Sequence, residues 1–351
     1  MSREKKRAKK KGKSAGFAVS LIILVIAIAA GGFFYIDLCN KPLDPANKEY
    51  ISIEIPNGTA TTTIGRILQE NGLVKSSDRF KLYAKIKGYD GKLKAGDYLL
   101  SPSMTATEIL GMLEEGHQTT VRFTVPEGLT VRQVGEKLAE EGLLDFEEYM
   151  EEVKSGEFDY KYIPHLPAGD NRLEGFLMPN TYEVFENATA HEIIDTMLAQ
   201  FDVVYKDEYY ARATELGYDI NQIITIASMI ERETKVDSER EIVSSVIYNR
   251  LKINMLLQID ATVQYALPEW KERLRQSDLE VDSPYNTYKY PGLPAGPICS
   301  PGEKAIIAAL YPATTDYYYY VLDPAMNGSH RFSNDYSTFL KNKQEYINAI
   351  D

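Results

Sequence analysis

The chain has 351 residues and a formal net charge of −12, a balance that excludes nucleic acid and anionic lipid as partners held by bulk charge. Two cysteines, Cys39 and Cys299, exclude a disulfide framework, and this length allows either one large core or two smaller ones. The charge is unevenly placed, and the unevenness locates the protein.

Residues 1–15 form a basic tail in which eight lysines and arginines oppose only Glu4. An uncharged apolar run follows from Ala15 to Ile36, long enough at about 1.5 Å per residue to cross a bilayer as a helix, with the span placed at 16–36. The basic flank is expected to stay cytoplasmic, so everything after Asp37 lies outside a bacterial cell membrane. The competing reading is a signal peptide cleaved after Ala27-Ile28-Ala29. The apolar run continues past that point to Ile36, beyond the usual length of such a segment. Without the +7 of the tail, the outer part carries about −19.

A polar linker (37–48) leads to an internal repeat. "IEIPNGTATTTIGRILQENGL" from Ile53 and "FTVPEGLTVRQVGEKLAEEGL" from Phe123 align at an offset of 70, matching Pro56 with Pro126, Gly58 with Gly128, Gly65 with Gly135 and Leu68 with Leu138. Each copy predicts a strand, a Pro-x-Gly turn, an amphipathic helix and a glycine stop. A further strand near Tyr98–Leu100 and a helix over about 105–115 complete a small α+β module at 49–118. In size and order it resembles LysM-type glycan-binding modules, a packing module that holds the rest off the membrane being the alternative. Residues 119–351 are expected to form a mixed α+β catalytic domain, whose start, 119–155, repeats that of the module. A hairpin is expected where "YYYYVLD" and "SHRFS" flank Pro324–Gly328. At least half of its tyrosines are expected to serve packing, because alternate residues of a strand face opposite sides.

Within this domain, "IASMIERET" carries two glutamates. Asp219 or Asn221 predicts the cap of a helix ending near 233–235, and Ser238 with Glu241 has the form of a capping box for the next. On a 3.6-residue wheel Glu231 extends the apolar stripe of Ile220, Ile224 and Ala227, while Glu233 points about 200° away. Glu231 is thus expected to be desolvated and protonated, a general acid, with Glu233 ionised and paired to Arg232, Lys235 or Arg240. Geometry leaves open the alternative of a buried Glu231 neutralised by a cation such as Arg250.

The blocks "LEGFLMPNTY", "ASMIERET", "SERE", "VIYNRL", "LQIDATVQYAL", "SPYNTY", "GLPAGPICSPG" and "HRFS" occur in the order found in the MltG-type (YceG-like) endolytic murein transglycosylases, which this chain resembles over roughly residues 45–345. The resemblance implies a catalytic Glu231. It also implies a saccharide groove lined by Glu174, Asn180, Gln258, Asp260, Thr262, Asn286 and Tyr288. Phe176-Leu177-Met178 replaces a more aromatic run common in the family, and Asn180 stands where Asp is frequent. The implied reaction cuts the β-1,4 bond between N-acetylmuramic acid and N-acetylglucosamine of nascent strands and leaves 1,6-anhydro ends, limiting strand length. The implied partners are peptidoglycan strands and, with them, penicillin-binding proteins and other wall-synthesis machinery. The alternatives are a non-catalytic glycan-binding scaffold and a hydrolytic muramidase, which would need Asp260 or Glu174 as a second carboxylate. No cofactor or metal is expected, because His117, His165, His191 and His330 are scattered, with no H-E-x-x-H pair. His330 reads as a satisfied polar residue.

Overall fold

The computed structural model describes residues 31–32, 34–116 and 120–350. The basic tail and most of the expected membrane span lie outside the described residues. No described helix is long and apolar enough to cross a membrane. The chain forms two compact units, Met1–Thr119 and Thr120–Asp351, and its architecture is mixed α+β.

In the first unit, β1 (Ile51–Ile55) pairs antiparallel with β2 (Gly96–Leu100), Ile51 opposite Leu100 and Ile55 opposite Gly96. Between them lie α1 (Thr61–Glu70) and α2 (Ser77–Lys87), and α3 (Ala106–Glu115) follows. Alternate residues Ile53 and Ile55 of β1 bury against Ile64 and Leu68 of α1 and against Phe80, Tyr98, Ile109 and Leu113, as period-2 and period-3.6 patterns require. A capping box of Thr105 and Glu108 starts α3.

The second unit opens with the repeat. β3 (Thr120–Val125) is followed by α4 (Val131–Glu140) and α5 (Phe146–Ser155), and β3 pairs antiparallel with β4 (Asn180–Phe185), Val125 opposite Asn180. Both repeats therefore build the same β-α-α-β order. The matched glycines explain part of this. A Cβ at Gly135 would lie 2.4 Å from the Tyr149 ring, and one at Gly65 would lie 3.0 Å from the Ser77 carbonyl, so each glycine lets the next helix approach closely.

The remainder packs around one helix. α6 (Ala190–Val204) and α7 (Asp207–Leu216) lead to α8 (Ile220–Glu233), which is followed by α9 (Arg240–Lys252), α10 (Asp260–Ala266) and α11 (Glu303–Leu310). A hairpin of β5 (Tyr319–Leu322) and β6 (His330–Ser333) and the terminal α12 (Tyr336–Ile350) complete the unit. The hairpin forms as expected, Tyr319 opposite Ser333 and Leu322 opposite His330. Asp219 caps α8 in a capping box with Gln222. Ile223, Ile224, Ile226, Ala227, Met229 and Ile230 are all fully buried, because α7, α9, α10 and α11 pack around the helix. A helix apolar on every side belongs in a core. Even its one buried serine is used: Ser228 Oγ accepts from the Ile298 N–H at 3.0 Å and donates to the Thr225 carbonyl at 2.8 Å, which ties the segment before α11 to α8.

The expected Ser238–Glu241 capping box does not form. A 3-10 turn, Asp237–Glu239, precedes α9. The Glu239 carboxylate instead accepts from the backbone N–H of His330 at 3.0 Å and meets its ring Nδ1 at 2.8 Å.

Candidate active site

The last turn of α8 holds two carboxylates in different settings: Glu231 is buried against a cation, as the alternative reading has it, and the raised pKa falls on Glu233, which was expected to be ionised. The Glu231 side chain is 8% exposed, and its Oε1 accepts from Arg240 Nη1 at 3.2 Å. Its Oε2 accepts from the Gly302 N–H, the N-cap of α11, at 3.0 Å. Arg240 also reaches Asp237 Oδ1 at 3.2 Å, and Asp237 pairs in turn with Lys304. A further carboxylate, Glu127, stands beside this pair. A Cβ on Gly302 would fall 1.9 Å from Glu127 Oε1. Burial first, and then the charge of Glu231, push the Glu127 pKa above the usual carboxylate range. Through these contacts Glu231 acts as a strut joining α8, α9 and α11. Its cation is Arg240, one of three expected partners of Glu233, rather than Arg250.

Glu233 lines an open cavity of about 440 Å³ whose walls include Gln258, Asp260, Tyr288, Arg250 and Tyr320, together with one face of α12. Its Oε2 accepts from the Tyr320 hydroxyl at 3.0 Å, and its carboxyl takes a second hydrogen bond from the Ala261 N–H. Burial raises its pKa to about 7 and the charge of Asp260 adds to the effect; the Tyr320 and Ala261 hydrogen bonds and Arg232 oppose it. A carboxyl that titrates near neutrality in an open cavity can give and take a proton at ambient pH. The wheel fails here because it assumes a single wet face. α8 has none from Ile223 to Ile230, and what lies around its C-terminus decides which glutamate meets solvent or substrate.

Three of the residues expected in the groove, Gln258, Asp260 and Tyr288, share this cavity. Asp260 Oδ1 accepts from the Tyr288 hydroxyl. Gln258 has φ of 50°, a left-handed backbone that few non-glycine residues adopt, and its N–H donates to the Thr287 carbonyl at 3.1 Å. Strain of this kind gathers at ligand sites. Thr262 and Asn286 are fully buried beneath the cavity. Thr262 Oγ1 bonds Thr287 Oγ1 at 2.8 Å, and Asn286 Nδ2 donates to the Leu279 and Val281 carbonyls, both at 2.8 Å. These two shape the loops that carry Gln258 and Tyr288 and do not line the cavity. Asn180 sits exposed at the start of β4, away from the cavity wall. Arg250 and Tyr320 were not anticipated as site residues, although "VIYNRL" contains the first. The Arg250 guanidinium donates to the carbonyls of Tyr318 and Leu257 at 2.6 and 2.5 Å and lies 5.5 Å from the Tyr319 ring centroid.

Glu174 belongs to a different cavity. It is 3% exposed, accepts from the Val131 N–H and the Tyr265 hydroxyl, both at 3.0 Å, and burial raises its pKa to about 7. Between the ordinary 4.5 and about 7 the folded chain holds a proton here that the unfolded chain releases, so stability falls as pH rises through this window. Glu174→Gln removes that dependence. Relative to wild type the variant should gain on the order of 3 kcal/mol between pH ~4 and ~8 in urea unfolding, and parallel curves would disprove the assignment.

Fold and site together define a mixed α+β protein whose cavity presents a single carboxyl titrating near neutrality at a helix end. The chain belongs to the YceG-like family, whose sequence profile matches residues 53–345. It is similar to an endolytic murein transglycosylase of Bacillus subtilis, 34% identical over 92% of each chain. It is also similar to endolytic murein transglycosylases of Streptococcus pneumoniae, 31% identical over 95% of this chain, and spans 65% of their length. A crystal structure of a YceG-like protein from Listeria monocytogenes is 34% identical and superposes with a TM-score of 0.57, covering 84% of this chain and 99% of that one.

Proposed function

We propose that the chain is a membrane-anchored endolytic transglycosylase of peptidoglycan and that Glu233, rather than Glu231, is its acid and base. The observation that carries this reading is the Glu233 carboxyl, held near a pKa of 7 in an open cavity beside Asp260, Tyr288 and Gln258. The names of the Bacillus and Streptococcus relatives supply the reaction class. Glu233 protonates the oxygen linking C1 of N-acetylmuramic acid to C4 of N-acetylglucosamine, and that bond breaks. The resulting carboxylate then takes the proton of the muramic acid 6-hydroxyl as its oxygen closes onto C1. The enzyme regains its proton, and the strand ends in a 1,6-anhydro sugar. The nucleophile is part of the same sugar, so proximity replaces a second catalytic carboxylate. Burial first, and then the charge of Asp260, favours the protonated Glu233, and Tyr288 and Gln258 are placed to bond the substrate.

The same geometry favours a second reading, hydrolysis, because Asp260 stands beside Glu233 as a second carboxylate that a muramidase could use to activate water. Mass spectrometry of digested strands separates the two. Anhydro-muramic ends support transglycosylation, reducing ends establish hydrolysis, and intact strands leave a glycan-binding scaffold. Under the transglycosylase reading, kcat/KM should fall as pH rises through about 7, where Glu233 loses its proton.

In this reading the catalytic unit lies outside the cell membrane, which the basic tail and apolar run of the sequence support, and the β-α-α-β-α unit of residues 51–115 serves as a LysM-like module near the bilayer. Cleavage there would limit the length of nascent strands, beside penicillin-binding proteins and other wall-synthesis machinery.

A further inference from the structure

Trp270 is the only tryptophan of the chain, and it is 65% exposed. Single exposed apolar residues are ordinary, but this one is held in place. The next residue, Lys271, donates its N–H to Gln264 Oε1 at 3.1 Å and accepts from Gln264 Nε2 at 2.5 Å. Its ammonium pairs with Asp278, which is 8% exposed and also accepts from the Arg275 N–H at 2.8 Å. The indole is thus presented to solvent from a segment tied down on both its backbone and its side chain.

It faces a cavity of about 450 Å³, also lined by Tyr265, Arg132, Arg232, Gln133 and Asn171. Asn171 Nδ2 donates to the Tyr265 hydroxyl at 2.7 Å and Gln133 Oε1 accepts from the Thr130 N–H at 3.0 Å. The carbonyl oxygen of Asn171 and the amide nitrogen of Gln133 make no hydrogen bond among the described residues. Arg132 lies 3.6 Å from Glu136, and Arg232 donates to the Gly128 carbonyl at 3.0 Å; each keeps further N–H donors. α10 separates this cavity from that of Glu233. Asp260 lines one, while Ala261, Gln264 and Tyr265 line the other, and Arg232 and Glu233 are neighbours at the end of α8. A flat apolar face ringed by amide and guanidinium groups suits a pyranose, which offers C–H groups on its face and hydroxyl and acetamido groups at its edge.

We propose that the cavity beside Trp270 is a second glycan subsite, in which the indole stacks on a hexosamine ring and Gln133, Asn171 and Arg132 bond its hydroxyl and acetamido groups. This rests on the glycan substrate proposed above and extends it. A strand held on both sides of α10 is gripped along its length, which directs cleavage to internal bonds rather than to ends.

The sole tryptophan makes the test direct. The full chain is titrated with the tetramer of N-acetylglucosamine while its fluorescence is followed, and cleavage of long glycan strands is assayed in parallel. Saturable quenching in the millimolar range is expected, weakened in Gln133→Ala. Trp270→Ala should lower kcat/KM on long strands about tenfold with kcat nearly unchanged, and Trp270→Tyr should restore most of it because a stacking ring returns. A spectrum unmoved by the tetramer in a protein that cleaves strands normally overturns the subsite and leaves the catalytic reading intact. Quenching in a protein that cleaves nothing supports the subsite and overturns the catalytic reading. Equal losses in Trp270→Tyr and Trp270→Ala would also overturn stacking.

Discussion

Glu233→Gln is expected to leave a folded protein whose release of anhydro-muropeptides falls by ~10²–10⁴-fold, the usual contribution of general acid–base catalysis. The amide is close in shape to the acid. Its carbonyl oxygen can still accept from the Tyr320 hydroxyl. What it cannot do is release a proton to the glycosidic oxygen. Because the wild-type carboxyl is desolvated and carries part of a charge near pH 7, its neutral replacement should keep or raise the urea midpoint above neutrality. Residual activity should also lose the decline through about pH 7 that Glu233 imposes. Retained turnover in this variant, together with a dead but folded Glu231→Gln, would return the acid to position 231.

Much of the fold was legible because its local signals agree with its packing. The repeat is written in Pro-x-Gly turns and in glycines that let a helix come close, and both features survive as the same β-α-α-β order. Asp219 starts α8 as read, and Tyr319–Leu322 and His330–Ser333 pair as read. The site was legible as a set of motifs but not as a set of contacts. Thr262 and Asn286 sit within the same motif blocks as Asp260 and Tyr288, yet Thr262 bonds the Ile259 carbonyl and Thr287, and Asn286 the backbone of its own loop, in the interior. A polar residue that satisfies a buried carbonyl looks, in sequence, like one that awaits a sugar. Gln258 carries its left-handed backbone with no glycine or asparagine to announce it. The exchange between Glu231 and Glu233 has the same origin. Periodicity reports which residues share a helix face, while the partners at a helix end, here Arg240, Gly302, Tyr320 and Ala261, come from elements up to about ninety residues away.

Glu231→Ala should act on stability rather than on chemistry, with a loss of about 3 kcal/mol or more in urea unfolding, because removing one partner of a buried pair strands the other. Arg240, itself 9% exposed, would keep only Asp237 at 3.2 Å and the nearby Glu127, and the Gly302 N–H would lose its acceptor. Glu231→Gln should cost less, since its amide oxygen can still accept from Gly302. In that variant the Glu127 pKa should move down toward the ordinary carboxylate value, because the Glu231 charge that helps to raise it is gone. Carbon-13 NMR of the carboxyls would show that movement. Removing both partners, in Glu231→Leu with Arg240→Met, should recover much of the stability lost in Glu231→Ala, since two apolar side chains avoid the cost of desolvating charge. In every one of these variants the folded fraction should keep the fall in kcat/KM near pH 7, because the proton that matters sits two residues further along, on the other side of the helix end. If that decline moves when Glu231 is replaced but stays when Glu233 is replaced, the strut and the acid have been assigned the wrong way round.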